Sequence, residues 1–301
     1  VGVGRFTSAD AMVSQIKRGI LDMIGAARPS IADPFLPRKI EEGRIEDIRE
    51  CIGCNICVSG DWTQSPLRCT QNPTMGEEWR RGWHPEIIEY KGESEKVLVV
   101  GAGPAGLEAA MSLGQRGYDV ALADSGDGGG RAVLESGLPG LSSYKRVSDY
   151  RLAQIAKLSN VSFFPGSEMD PASIAEFGAD QVLIATGAKW RADGLGRVTH
   201  APVPGIADHP EVLTPDDIMA GRLPGADAVL VYDDDHYYLG GVIAQLLADA
   251  GKAVTLVTPG PEVSCWTQNT MEQHRIEKAL LDQGVTLIAK HTLSRVEKDC
   301  A

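Results

Sequence analysis

Four of the six cysteines in this chain fall between residues 51 and 69, in CIGCNICVSGDWTQSPLRC. Cys51, Cys54 and Cys57 are three apart, and Cys69 lies twelve further on. Thiols clustered like this more often bind a metal than pair as disulfides. Three thiolates from a tight loop and a fourth from a distance suit a 4Fe–4S cubane, whose sulfides also accept loop amides. Structural zinc takes two cysteine pairs, or cysteine with histidine. Here there is no second pair, and His84 stands well beyond the segment. The cluster reading is favoured over zinc and over free thiols. Four clustered and two scattered cysteines do not read as a disulfide framework.

With 301 residues, 43% of them hydrophobic, the chain is long enough for about two domains. A net charge of −12 without a basic block argues against a nucleic-acid partner and against attraction to anionic lipid. There is no apolar run of about 18 residues and no signal peptide, so the expectation is a soluble, cytoplasmic protein with no membrane partner. The chain opens on Val1, inside VGVGRFTSAD, and ends in HTLSRVEKDCA; it reads as a fragment cut at both ends.

Residues 1–50 read as a βα unit and a half. VGVG is a strand, TSADAMVSQIKRG a helix with capping residues and a glycine stop, ILDMIGAARP a buried strand and SIADPFLPRKIEEG a proline-interrupted helix. The cysteine segment and a polar connector occupy 51–95. Residues 96–190 alternate strand and helix through KVLVV, LEAAMSLGQRG, YDVALADS, YKRVSDYRLAQIAKL, VSFFPG and DQVLIATGA. A stretch rich in Gly, Pro and Asp, 189–225, reads as a crossing between domains. A second alternation, DAVLVYD, GGVIAQLLADAG, KAVTLVT, TMEQHRIEKALLDQG and VTLIA, follows, and 191–301 reads as a second, truncated domain. Strands alternating with helices imply parallel α/β sheets.

VLVVGAGPAG puts Gly101, Gly103 and Gly106 in a G-x-G-x-x-G frame between strand and helix. The first glycine permits the tight turn, the second lets the backbone approach a pyrophosphate, and the third lets helix pack on strand. Asp124 stands where an acid is expected to bond a ribose hydroxyl. The site reads as an adenine nucleotide site, with FAD, NAD and ADP left open. The second unit should carry its own glycine loop if it bound a nicotinamide. Its loop is VLVYDDDHYYLGG: Asp233, Asp234 and Asp235 would repel phosphates, and Tyr237 and Tyr238 are bulky where backbone must approach. This domain is expected to keep the fold without binding NAD(P)H.

Taken together, VGVGRFTSAD, IGAARPSIADPFLP, CIGCNIC followed by Cys69, GEEWRRGWHPE and VLVVGAGPAGLEAA resemble the family of trimethylamine, dimethylamine and histamine dehydrogenases. The resemblance implies an α/β chain made of the C-terminal remnant of a flavin-binding (β/α)8 barrel, an iron–sulfur segment and two Rossmann-like domains. It implies FMN, attached covalently to a cysteine, that oxidises an amine and passes electrons singly to the 4Fe–4S cluster. An electron-transferring flavoprotein then takes them, ADP sits at the glycine loop, and the protein is a homodimer. A complete barrel needs about 250 residues, so the flavin-linking cysteine and the catalytic base are expected upstream of Val1. Gly4, Arg5, Ala27 and Arg28, at the ends of the two strands present, are expected to hold the FMN phosphate. The bland reading of the two arginines is ordinary surface or salt-bridged side chains.

In the trimethylamine enzyme, a tryptophan four residues after the third cluster cysteine helps form an aromatic bowl for a methylated ammonium. Here that position is Asp61, followed by Trp62, and the spacing to Cys69 is one shorter. An acid there resembles the histamine dehydrogenase branch and suits a primary amine or diamine. The bland alternative makes Asp61 a turn residue in SGD. His84 and the isolated histidines read as packing or surface residues. Two other readings stand: an NAD(P)H-dependent enoate or 2,4-dienoyl-CoA reductase-like flavoprotein, and a non-enzymatic nucleotide-binding electron-transfer module.

Overall fold

The computed structural model describes the whole chain except residues 5, 85, 92–94, 208 and 298–301. The described residues form two compact units. One comprises Val1–Cys57, Ser65–Val133 and Ser143–Gly187; the other comprises Val58–Gln64, Leu134–Ser142 and Ala188–Ala301.

The first unit opens with β1 (Gly2–Val3), α1 (Ala9–Lys17) and β2 (Ile24–Gly25), the two short strands pairing in parallel. Ser8 caps α1 by accepting from the Ala11 amide at 3.4 Å, and Gly19, at φ +67, follows its end. The expected long strand ILDMIGAARP is only two residues of strand. Its tail enters α2 (Ala27–Ala32), because Pro29 fits the first turn of a helix and would break a strand. Next comes α3 (Leu36–Glu41); Ala9, Met12, Leu36 and Ile48 close a small core.

A buried ion pair fixes this region. Lys39 is 1% exposed and its Nζ bonds Asp33 Oδ2 and the Asp47 carbonyl, each at 2.8 Å, and also meets Glu86. Burial works against the ammonium, but the bonds from Asp33 and Glu86 outweigh it and hold its pKa above the ordinary value. Asp33 also accepts from the amides of Phe35 and Arg49, so it stitches the α2–α3 corner to the strand of chain that leads into the cysteines.

After α4 (Ile56–Thr63) come β3 (Lys96–Val100), α5 (Pro104–Gln115), β4 (Asp119–Ala123), α6 (Gly130–Ser136), α7 (Arg146–Ile155), β5 (Val161–Phe164), α8 (Pro171–Phe177) and β6 (Gln181–Ile184). The sheet is wholly parallel in the order β5-β4-β3-β6. The first strand of the sheet therefore lies at the point where strand order reverses, which is where such sheets bind ligands beyond their carboxyl ends. Val97 to Val100 are buried on both faces, as near-continuous hydrophobic runs in parallel sheets are.

The second unit contains α9 (Pro215–Met219), β7 (Ala228–Tyr232), α10 (Leu239–Asp249), β8 (Ala253–Thr258), α11 (Gln273–Asp282) and β9 (Thr286–Ala289). Its sheet is parallel, β7-β8-β9. The helix α9 lies inside the stretch expected to be an irregular crossing. It starts with a capping box in which Thr214 and Asp217 bond reciprocally. Among the described residues, no helix is long and apolar enough to cross a membrane.

Replacing Lys39 with alanine strands the Asp33 carboxylate in a dry site. The expected cost is about 3–5 kcal/mol, read as a lowered urea midpoint; a shift smaller than a typical surface substitution would show that the pair does not anchor this region.

Candidate functional site

Cys51, Cys54, Cys57 and Cys69 line one cavity, together with Arg28, Thr70 and Gln71. The loop can curl so tightly because Gly53 (φ +71) and Asn55 (φ +57) adopt left-handed backbone, which glycine and asparagine tolerate best. The Gly53 amide donates to Cys51 Sγ at 3.3 Å, and the Gln71 amide to Cys69 Sγ at 3.4 Å. Burial pushes the Cys51 and Cys54 thiols up. Thiolates here therefore need a nearby positive charge, and the Arg28 guanidinium acts in that direction on Cys51. Among the described residues, no three Cys, His, Asp or Glu side chains close on a single point as one metal ion requires. A cubane instead spreads its four thiolates over four irons. Four sulfurs around one cavity, with amide donors in place, fit such a cluster better than a lone zinc.

The ends of this segment are tied down by residues that the sequence reading passed over. Gln71 is 1% exposed; its Nε2 donates to the Glu50 carbonyl at 3.0 Å, bringing the two ends of the segment together. Arg151 of α7 donates to Gln71 Oε1 at 2.9 Å and, through Nε, to Glu108 of α5 at 2.7 Å. Arg146, at the start of α7, donates to the Cys51 carbonyl at 2.9 Å and pairs with Glu50. One signal was available: Val147, Arg151 and Ile155 share the buried stripe of α7, and an arginine on an apolar stripe implies a buried acceptor.

Gly101 and Gly103 lie between β3 and α5, and Gly106 lies in the first turn of α5. Gly101 has φ +101, and a Cβ there would lie 2.4 Å from the Ala185 carbonyl oxygen. A Cβ on Gly106 would lie 1.8 Å from the Gly101 oxygen, so helix and loop touch only because it is absent. A Cβ on Gly103 would meet nothing within 4 Å, leaving open space where a phosphate can approach the start of α5. Asp124 follows β4. Its Oδ2 accepts from the Ala102 amide at 2.6 Å and its Oδ1 from Gly126 at 2.8 Å. It thus braces the glycine loop directly, and spare lone pairs remain for a ribose hydroxyl.

The corresponding loop of the second unit is longer, running from 233 to 238 between β7 and α10, against 101 to 103 between β3 and α5. Asp233 is 3% exposed and packs on Gly240 at the start of α10; a Cβ on Gly240 would meet its carboxyl carbon at 2.6 Å. Its Oδ1 accepts from the amides of Asp235 and His236, both at 3.1 Å, whereas Oδ2 has no partner among the described residues. Asp234 turns away to accept from the Val198 amide, and Asp235 pairs with Arg197. Tyr237 meets Trp266 edge-on, and Tyr238 donates to Glu135. The aspartates are thus engaged by amides and cations, and Asp233 itself takes the place beside the helix start.

Gly4 follows β1 and is exposed, and Ala27 opens α2 just beyond β2, so both lie at the carboxyl end of the strand pair. Arg5 lies outside the described residues. Arg28 is the second residue of α2 rather than a strand end, and its Nη1 donates to Asn55 on the cysteine loop. Asp61 and Trp62 are exposed in the last turns of α4, so SGD is helix and not a turn.

Desolvation pushes Asp233 up to about 6. Because its folded pKa lies above the unfolded value, the stability it permits is complete below about pH 4 and is lost as pH rises through 6. The expected loss is at most about 3 kcal/mol. Urea unfolding at pH 4 to 8 should show this slope in the wild type and a flatter one in Asp233→Asn; equal slopes would contradict the assignment.

Residues 95–301 match the family model of pyridine nucleotide-disulphide oxidoreductases, and residues 1–47 match that of the NADH:flavin oxidoreductase / NADH oxidase family. In sequence the chain is 43% identical to dimethylamine dehydrogenase of Hyphomicrobium sp. (strain x), over 99% of this chain and 41% of that protein. It superposes on histamine dehydrogenase from Rhizobium sp. 4-9 with a TM-score of 0.93 and 54% identity, covering 99% of this chain and 44% of that one. For 6-hydroxypseudooxynicotine amine oxidase from Pseudomonas geniculata N1 the TM-score is 0.94 and the identity 51%, covering 98% of this chain and 44% of that one. The chain therefore spans less than half the length of these relatives. It belongs to the pyridine nucleotide-disulphide oxidoreductase family and, as CIGCNIC and VLVVGAGPAGLEAA suggested, is similar over nearly its whole length to amine dehydrogenases.

Proposed function

We propose that the chain is part of an iron–sulfur flavoprotein amine dehydrogenase that oxidises a small amine, histamine-like or a methylamine, by deamination or demethylation. The observation that carries this reading is the set of four cysteines on one cavity. The self-filled loop at Asp233 supports it, since electrons then need a route other than a nicotinamide. Cys51, Cys54, Cys57 and Cys69 would hold a 4Fe–4S cluster, and the loop from Gly101 to Gly106, braced by Asp124, would hold ADP or FAD. Gly4 and Ala27, at the carboxyl end of what we read as the last two strands of a (β/α)8 barrel, would hold the FMN phosphate, with Arg5 expected from the sequence to join them. Arg28 would add positive charge between that site and the cysteine loop. The βαβ units from β3 and from β7 would be two Rossmann-like domains, the second without a nucleotide.

A bound cluster of this type supplies one-electron transfer, taking electrons singly from a flavin, and an electron-transferring flavoprotein is the proposed acceptor. On α4, Asp61 is four residues beyond Cys57 and so on the same helix face. Its carboxylate would accept the N–H donors of a primary amine or diamine, with Trp62 beside it. The homodimer and the cytoplasmic address implied by the resemblance belong to the same proposal.

The test uses purified full-length protein under anaerobic conditions. A primary amine or diamine should bleach the flavin absorbance, and NADH should not. Bleaching by NADH alone would assign the protein to the nicotinamide-dependent reductases, and absence of flavin would leave a nucleotide-binding electron-transfer module. Within that enzyme, Asp61→Trp should shift kcat/KM toward tertiary methylamines by about tenfold, the scale of a desolvated cation–π contact. An unchanged substrate profile would remove Asp61 from the pocket.

A further inference from the structure

The donors that meet the cysteine sulfurs are of two kinds. Those from Gly53 to Cys51, from Ile56 to Cys54 and from Gln71 to Cys69 are main-chain amides, which survive side-chain replacement. The other kind is a side chain: Thr70 Oγ1 lies 3.1 Å from Cys54 Sγ, and among the described residues lining the cavity Thr70 is the one that carries a hydroxyl. Once Cys54 is a thiolate it can only accept, so the hydroxyl is the donor. Thr70 directly follows Cys69, the distant ligand, and reaches across to Cys54 in the tight loop. Its single bond therefore spans the two halves of the ligand set.

We propose that Thr70 is a positioning residue that raises the reduction potential of the cluster from outside its ligand set. The proposal rests on reading the four cysteines as 4Fe–4S ligands. An added electron makes the sulfurs more negative, so a donor aimed at one of them stabilises the reduced state more than the oxidised one. Thr70 is exposed, so valine removes the hydroxyl at nearly the same volume without leaving a buried orphan.

The experiment is a redox titration of the full-length holoprotein, followed through the electron paramagnetic resonance of the reduced cluster, with iron content measured in parallel. Thr70→Val should lower the midpoint potential, and Thr70→Ser should restore it, with iron content equal in all three proteins. An unchanged midpoint in the valine variant overturns the proposal. So does a variant that loses iron, because Thr70 would then be holding the segment rather than tuning it. A wild-type protein with no iron–sulfur signal overturns the underlying reading of the cysteines instead.

Discussion

Arg151 is 3% exposed, and burial works against its charge. It is kept there by acceptors on three parts of the first unit: Glu108 on α5, the Val147 carbonyl on its own helix, and both oxygens of Gln71. A buried guanidinium cannot lose an acceptor without a large penalty, since no water replaces it. The helix that starts at the glycine loop and the far end of the cysteine segment are therefore held to one frame. Gln71 passes the constraint on, through Glu50 to the first cysteine and through its amide to the last.

Much of this frame was legible because local rules and tertiary packing agree. The role of each glycine from 101 to 106 follows from the space a Cβ would need, which the G-x-G-x-x-G spacing encodes directly. The convergence of four cysteines followed from the reach of a short loop. Other parts were hidden. The ties made by Arg146 and Arg151 join residues far apart in the chain, and no spacing names their partners. Arg28 was read from its place after a strand, whereas α2 carries it to Asn55. The helix α9, inside the stretch read as an irregular crossing, carries its own signal: Thr214 precedes a proline and caps the amide three residues on.

The two strand–loop–helix junctions, after β3 and after β7, show how one topology serves opposite ends. In the first, glycines strip the loop until open space remains beside a helix start. In the second, the loop is longer and its first residue brings a carboxylate to Gly240. The favourable field at a helix N-terminus acts on either kind of anion. An internal carboxylate needs no ligand to satisfy it, but it is permanently desolvated, and its raised pKa records that cost.

This closed loop also makes interconversion difficult. Removing the Asp233 carboxylate alone leaves the extra length of chain from 233 to 238, with Tyr237 and Tyr238 still packed by their rings. Shortening the loop alone keeps an anion facing the place an incoming phosphate would take. Each change by itself gives neither a packed loop nor an open one, so the two forms are separated by a valley that single substitutions do not cross. In sequence space, the two kinds of junction are reached from one another only by changing side chain and loop length together.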